Sequence, residues 1–65
     1  MHVPVPDELD AALAAEPAVR AFFDRLTPSQ QRGYTEWIEQ ARKPETRQRR
    51  LEETMTALRD HRKRR

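Results

Sequence analysis

Prolines divide this chain into four stretches in which apolar residues recur at helical spacing. The prolines that begin or precede these stretches are Pro6, Pro17, Pro28 and Pro44. Proline is favoured at the first position of a helix, and it pushes the preceding residue out of the helical conformation. Thr27 with Gln30 adds the pattern of a capping box before the third stretch. Four helices are therefore predicted, over about residues 6–15, 17–26, 28–42 and 44–60.

The apolar spacing is helical throughout, and the chain has neither the two-residue alternation nor the hairpin turn of β structure. In the third helix Tyr34, Trp37 and Ile38 share one face, and Leu51 marks the apolar side of the fourth. We expect Trp37 at the centre of the core. Arg47 lies about 40° from Leu51 around the helix, so we expect it at the edge of the core, tied to the third helix. The predicted fold is all-α, a small compact four-helix domain.

The length of 65 residues allows one small domain, which we place at 1–60, with a basic disordered tail at 61–65. The chain contains no cysteine, so neither disulfides nor thiolate metal sites are available. No apolar run reaches the roughly 18–20 residues of a membrane-spanning helix, and the first residues lack the pattern of a signal peptide. We therefore expect a cytoplasmic protein. A chain this short is marginally stable, which favours packing against a neighbouring domain or a second subunit.

Charge is distributed unevenly, although the net charge is only +2. Residues 1–41 contain three Lys and Arg against seven Asp and Glu, whereas residues 42–65 contain ten against four. Such asymmetry is typical of chains that bind nucleic acid, an anionic membrane surface or an acidic partner. An alternative is that many of these charges form ordinary surface pairs four residues apart, as Glu16 and Arg20 do in sequence. The basic residues around the turn before the fourth helix form the candidate interaction surface: Arg42, Lys43, Arg49 and Arg50.

The residue patterns that support catalysis are missing from the sequence. The two histidines, His2 and His61, lie near opposite ends and have no spacing that suits a metal ion. The single serine, Ser29, has no positioned base, and one glycine, Gly33, is too little for a phosphate-binding loop. We therefore expect a noncatalytic protein with no cofactor and no bound metal.

Nucleic-acid binding is the alternative function. The basic segment at 61–65 suits nonspecific contact with phosphates. Glu36 and Glu39 on the third helix oppose base reading by that helix. Trp37 and Tyr34 have the helical spacing of core residues rather than of a base-stacking surface. Nonspecific phosphate contact is thus the form of this alternative that the sequence supports.

Four segments of the chain together form the pattern of a known family. Three of them are Val-Pro-Asp-Glu-Leu-Asp-Ala-Ala-Leu at 5–13, Ala-Phe-Phe at 21–23 and Leu-Thr-Pro-Ser at 26–29. The fourth and most specific spans 34–51, where the family pattern reads like W-I-x-x-A-K-K-x-x-T-R-x-x-R and this chain has Arg42 in place of the usual Lys. Over about residues 4–60 the chain thus resembles the bacteriocin-protection, YdeI/OmpD-associated family module.

The resemblance implies a small helical module without known catalytic activity. Members of the family are associated with protection against bacteriocins or cationic antimicrobial peptides, and with an outer-membrane porin. The module usually follows another domain, which we expect this chain to lack or to receive from a separate protein. The predicted function is accordingly a noncatalytic interaction module. Its expected partner is an acidic protein surface or an envelope-associated protein.

Overall fold

Four α-helices account for most of residues 3–64, the part of the chain that a computed structural model describes. The helices are α1 at Asp7–Ala14, α2 at Pro17–Arg25, α3 at Pro28–Gln40 and α4 at Pro44–Arg59. Their number and order confirm the predicted all-α fold, and each end lies within two residues of its predicted position. Within residues 3–64 no segment forms a β-strand.

Proline and a capping box determine where the helices begin. The later three helices each begin with a proline, namely Pro17, Pro28 and Pro44. Pro6 instead precedes α1, as its N-cap residue. Before α3, the Thr27 hydroxyl accepts a hydrogen bond from the Gln30 amide at 3.2 Å, and the Gln30 side chain accepts one from the Thr27 amide at 3.0 Å. The predicted capping box is therefore present, and it satisfies amide groups that a helix start leaves unpaired.

The core lies between α4 and the other three helices. α4 packs against α1, α2 and α3, and α1 also packs against α2. Leu9, Tyr34 and Leu58 are completely buried, and Tyr34 is the largest of the fully buried side chains. The other buried apolar residues are Val3, Leu13, Val19, Phe23, Leu26, Ile38, Ala41, Leu51, Met55 and Ala57. Tyr34 on α3 is thus the aromatic residue around which the helices pack.

Trp37 does not occupy the central position predicted for it, because it is only partly buried. The buried side of α3 includes Tyr34, Thr35 and Ile38. Trp37 immediately precedes Ile38, so the two side chains point about 100° apart around the helix. Trp37 therefore lies at the border between the core and the surface. The prediction placed the core face of α3 too close to Trp37, because it counted apolar residues and left Thr35 out.

The C-terminal end of α4 is closed by main-chain hydrogen bonds from the two residues that follow its cap. The Arg62 amide donates to the Ala57 carbonyl at 2.9 Å, and the His61 amide donates to the Leu58 carbonyl at 3.0 Å. His61 has a positive φ of 58°, as the Schellman motif requires at this position. The folded part of the chain thus extends through Arg62 rather than ending at residue 60. Disorder beyond residue 62 stays a prediction, and Arg65 lies outside the described residues.

Candidate interaction surface

The turn between α3 and α4 exposes two of the four predicted surface residues, Arg42 and Lys43. α3 ends where Ala41 adopts an extended conformation, and its amide donates to the Ile38 carbonyl at 3.1 Å. Pro44 then begins α4. Because a residue before proline is disfavoured in the helical region, the chain must turn at this point. The side chains of Arg42 and Lys43 are consequently presented to solvent.

Arg50 is not available in the way the sequence suggested. Its Nη1 donates to the Trp37 carbonyl at 2.7 Å, and its guanidinium carbon lies 5.2 Å from the centre of the Trp37 ring. Trp37 lies in the last turn of α3, where a helix has more main-chain carbonyls than amides to bind them. Arg50 therefore gives the end of α3 a side-chain hydrogen bond together with a cation–π contact. It joins α3 to α4 and is half-buried, so it is removed from the exposed surface.

Arg47 also binds the end of α3, but through partners that the sequence did not indicate. Its Nη1 lies 3.4 Å from the Ala41 carbonyl and 3.5 Å from the Glu39 carbonyl. Its Nη2 donates to the carboxylate of Glu8 on α1. We expected side chains of α3 to receive this arginine, whereas the structure offers main-chain oxygens and a carboxylate 39 residues away in sequence. Local spacing gives no signal for such a distant partner.

Arg49 faces a groove on the other side of α4, which we call the α3–α4 groove. It encloses about 430 Å³ and is lined by Trp37, Arg49, Glu52, Glu53, Thr56, Ala57 and Arg62. Arg49 was predicted from the sequence as a surface residue, whereas the carboxylates beside it were not predicted as part of a site. Arg49, Glu52, Glu53 and Thr56 follow the i, i+3, i+4, i+7 spacing of one helix face. This polar face on α4 is therefore a signal in the sequence that indicates the group.

Tyr34 fixes the end of the groove at which Arg62 lies. Its buried hydroxyl donates to the Arg62 carbonyl at 2.8 Å. The His61 ring stacks on Phe22 of α2, with ring centres 4.9 Å apart. Burial raises the pKa of Tyr34 above its ordinary value, and the positive charge of Arg62 opposes part of that rise. The main chain at 61–62 is thus held by both α2 and α3, which places the Arg62 side chain at the groove.

Surface ion pairs join α1 and α2 to each other and to α4. Arg20 pairs with Asp10 at 2.9 Å and lies 3.7 Å from Asp24. Arg59 binds both carboxylate oxygens of Glu16, at 2.9 and 2.5 Å. The hydrogen bond from Arg59 lowers the pKa of Glu16. Arg20 thus contacts aspartates rather than the Glu16 expected from the four-residue spacing.

Two further properties of residues 3–64 bear on what the domain can do. Among these residues, no group of three His, Asp or Glu side chains converges in a way that holds a metal ion. None of the four helices has the length and apolar content needed to cross a membrane. His2, the second histidine of the sequence, lies outside the described residues.

The fold and this surface define a class: a small helical domain whose third and fourth helices are joined by arginines and border an exposed polar groove. A model of the family described as bacteriocin-protection, YdeI or OmpD-associated matches residues 2–61. The chain belongs to this family. Trp37, Arg47 and Arg50, which belong to the most specific part of the sequence pattern, are the residues that join α3 to α4.

A relative from Bacillus subtilis (strain 168), named as the uncharacterized protein YdeI, is similar to this chain. The two are 36% identical over 56 residues, which cover 86% of this chain and 28% of the relative. The chain therefore spans less than a third of the length of this curated relative. No solved structure matches the chain.

Proposed function

We propose that the domain is a noncatalytic interaction module that binds an acidic surface of a partner protein. The observation that carries this proposal is the exposure of Arg42, Lys43 and Arg49 at and just after the α3–α4 turn. Among residues 3–64, none of the three takes part in an ion pair. Exposed cations that form no ion pair within the domain can attract an acidic surface and accelerate association with it.

The support behind the turn strengthens the proposal. Arg47 and Arg50 on α4 donate hydrogen bonds to carbonyls at the end of α3. The exposed residues of the turn therefore lie next to a main chain that is held in place. A surface that is already ordered loses less conformational freedom when a partner binds. The arginines that support the turn and those that meet a partner are therefore different residues, and they can be tested separately.

A capture experiment with a matched charge reversal tests this function. Lys43→Glu with Arg49→Glu changes the proposed surface, and Arg25→Glu with Arg32→Glu makes the same change in net charge at exposed positions of α2 and α3. We expect the first variant to lose partners that the wild-type protein captures from a bacterial lysate after nuclease treatment. The second variant should retain them. Equal capture by both variants contradicts the proposed surface.

Nonspecific nucleic-acid binding is the second candidate. It is favoured by the four consecutive basic residues at 62–65, of which Arg62, Lys63 and Arg64 lie in the described part of the chain and are exposed. Nuclease treatment separates the two candidates, because partners held through nucleic acid disappear when it is digested. Complete loss of captured material after nuclease, together with strongly salt-dependent binding of a DNA duplex, would establish this candidate instead.

A link to protection against bacteriocins or antimicrobial peptides is the finer part of the proposal. It is supported by the description of the family. Because the proposed surface is basic, its partner in this role is an acidic envelope-associated protein rather than the cationic peptide itself. Expression of the chain in a sensitive bacterium should raise survival in the presence of a cationic bacteriocin, and the Lys43→Glu, Arg49→Glu variant should abolish the gain. Unchanged survival with the wild-type chain contradicts this role.

A further inference from the structure

The α3–α4 groove carries its charges in a fixed order along α4. Arg49 lies at one end, Glu52 and Glu53 lie one turn further on, and Arg62 closes the other end. The rest of the lining consists of Thr56 and Ala57 on α4 and of Trp37 on α3, whose ring lies beside Arg50. From Arg49 to Arg59, the last residue of α4, the helix rises by about 15 Å along its axis. The groove is therefore a row of alternating charge with a largely apolar section, long enough for three turns of a second helix.

These charges are only weakly engaged within the domain. Arg49 and Glu53 take part in no ion pair among residues 3–64. Glu52 accepts a hydrogen bond from the exposed side chain of Gln48 at 3.3 Å. Arg62 lies 3.4 Å from Asp60, and the two side chains are 65% and 62% exposed, so water screens this pair. A ligand that meets the charges of the groove thus has little internal bonding to displace.

The apolar section of the groove is held in place from behind. Trp37 is fixed by Arg50, which contacts both its carbonyl and its ring. Ala57 is buried in the α4 packing. The main chain at Arg62 is held by Tyr34. A volume of about 430 Å³ lies within the range of roughly 300–1,000 Å³ found for ligand pockets. This size suits a few side chains of a partner rather than a folded domain.

We propose that this groove binds a short amphipathic helical segment of the partner protein, with acidic residues at its ends and basic residues near its centre. This inference rests on the proposed interaction function and specifies the ligand. Acidic side chains meet Arg49 and Arg62, basic side chains meet Glu52 and Glu53, and an apolar side chain covers Trp37. Nucleic acid fits less well, because its phosphates all carry the same charge and two carboxylates lie in the middle of the groove.

Two synthetic peptides of identical composition test the charge order. The first has a glutamate, a pair of lysines one turn later, a leucine in the second turn and a glutamate in the third, on an alanine-rich helix. In the second peptide the glutamates and lysines are exchanged. Trp37 is the only tryptophan of the chain, so its fluorescence reports binding to the full protein directly. We expect the first peptide to bind at least about tenfold more tightly than the second.

Charge reversal in the protein provides the second measurement. Glu52→Lys with Glu53→Lys should abolish or invert the preference between the two peptides. Glu36→Lys with Glu39→Lys makes the same change at exposed residues of α3 that do not line the groove, and it should leave the preference intact. Thermal melting checks that each variant is folded. The peptide comparison on the wild-type protein needs no variant and decides the matter if one fails to fold.

The outcomes also distinguish this inference from the proposed function. Equal affinity of the wild-type protein for both peptides, or a preference that survives reversal of Glu52 and Glu53, overturns the charge order of the groove. Tighter binding of a single-stranded oligonucleotide than of either peptide overturns it as well. Each of these results leaves intact the capture of an acidic protein that depends on Lys43 and Arg49. A peptide preference without such capture supports the groove while contradicting the proposed basic surface.

Discussion

The α3–α4 junction and the α1–α2 hairpin both use arginine, but their arginines bind different acceptors. At the junction between the end of α3 and the start of α4, Arg50 donates at 2.7 Å to the main-chain carbonyl of Trp37 in the last turn of α3. In the hairpin, Arg20 pairs with Asp10, and the two side chains are 41% and 56% exposed. Water solvates an exposed carboxylate well, whereas a carbonyl at a packed helix end depends on the protein. We therefore expect an arginine to contribute more to the free energy of unfolding at the junction than in the hairpin.

The largest expected difference between these regions concerns their aromatic residues. Tyr34 on α3 is fully buried, whereas Phe22 on α2 is partly exposed and stacks on His61. We expect Tyr34→Ala to lower the free energy of unfolding by about 3–5 kcal/mol, and Phe22→Ala by about half as much, because less packed surface is lost. Urea denaturation of both variants measures this. Equal losses contradict the conclusion that Tyr34 is the aromatic residue around which the helices pack.

The arginines themselves give the next largest difference. Arg47→Ala removes contacts to two carbonyls and to Glu8, and we expect it to lower the free energy of unfolding by about 1.5–3 kcal/mol. Arg20→Ala removes an exposed pair and should cost only about 0.2–1 kcal/mol. High salt should weaken the Arg20 effect more than the Arg47 effect, because exposed charges are screened first. If Arg47→Ala lowers the free energy of unfolding no more than Arg20→Ala does, the arginine contacts at the junction are not stronger than those of the hairpin.

At the other end of the junction, the Tyr34 hydroxyl gives a smaller effect with a characteristic pH dependence. Tyr34→Phe removes the hydrogen bond to the Arg62 carbonyl and should cost about 0.5–1.5 kcal/mol at neutral pH. Burial raises the pKa of Tyr34 above its ordinary value of 10.0. The unfolded chain therefore ionises first as pH rises. The contribution of Tyr34 to the free energy of unfolding is complete below pH 10.0 and is lost as pH rises toward and through the raised pKa.

Alkaline denaturation checks this sign. The wild-type protein, which has one tyrosine, should lose stability above pH 10.0 more steeply than Tyr34→Phe does. Lysine titration affects both proteins alike, so the phenylalanine variant is its own control. The ultraviolet absorbance of tyrosinate should show that Tyr34 ionises at a higher pH in the folded protein than in urea. Parallel stability curves for the two proteins count against a role for the buried hydroxyl.

The sequence predicted the parts of the fold that depend on neighbouring residues. Four helices, their proline starts and the Thr27–Gln30 capping box follow from spacing over a few positions, and the structure contains them. The prediction that Trp37 lies at the centre of the core was wrong. Packing against α4 determines which face of α3 is buried, and Tyr34 lies on that face. Helical periodicity alone places Tyr34 and Trp37 on the same side, and it does not reveal where that side meets the other helices.

The candidate site was predictable only in part, for the same reason. Arg42, Lys43 and Arg49 were identified from their clustering in sequence, and the structure leaves them exposed. Arg50 was placed with them, yet its carbonyl partner on α3 exists only after the two helices pack. The pairing of Glu8 with Arg47 spans most of the chain, so no local pattern indicates it. Contacts that close a fold over such distances depend on tertiary structure.

The smallest expected effect tests the surface pair that joins the hairpin to α4. The hydrogen bond from Arg59 lowers the pKa of Glu16 below its ordinary value of 4.5, while desolvation opposes this shift. The stabilisation by this pair is therefore present above pH 4.5 and is lost as pH falls through the lowered pKa. Glu16→Gln should lower the melting temperature slightly at neutral pH, and the difference from wild type should shrink under acid. If Glu16→Gln destabilises the protein as much as Arg47→Ala, exposed ion pairs stabilise the hairpin as strongly as carbonyl contacts stabilise the junction. If the difference in melting temperature grows under acid, the pair with Arg59 does not stabilise the charged form of Glu16.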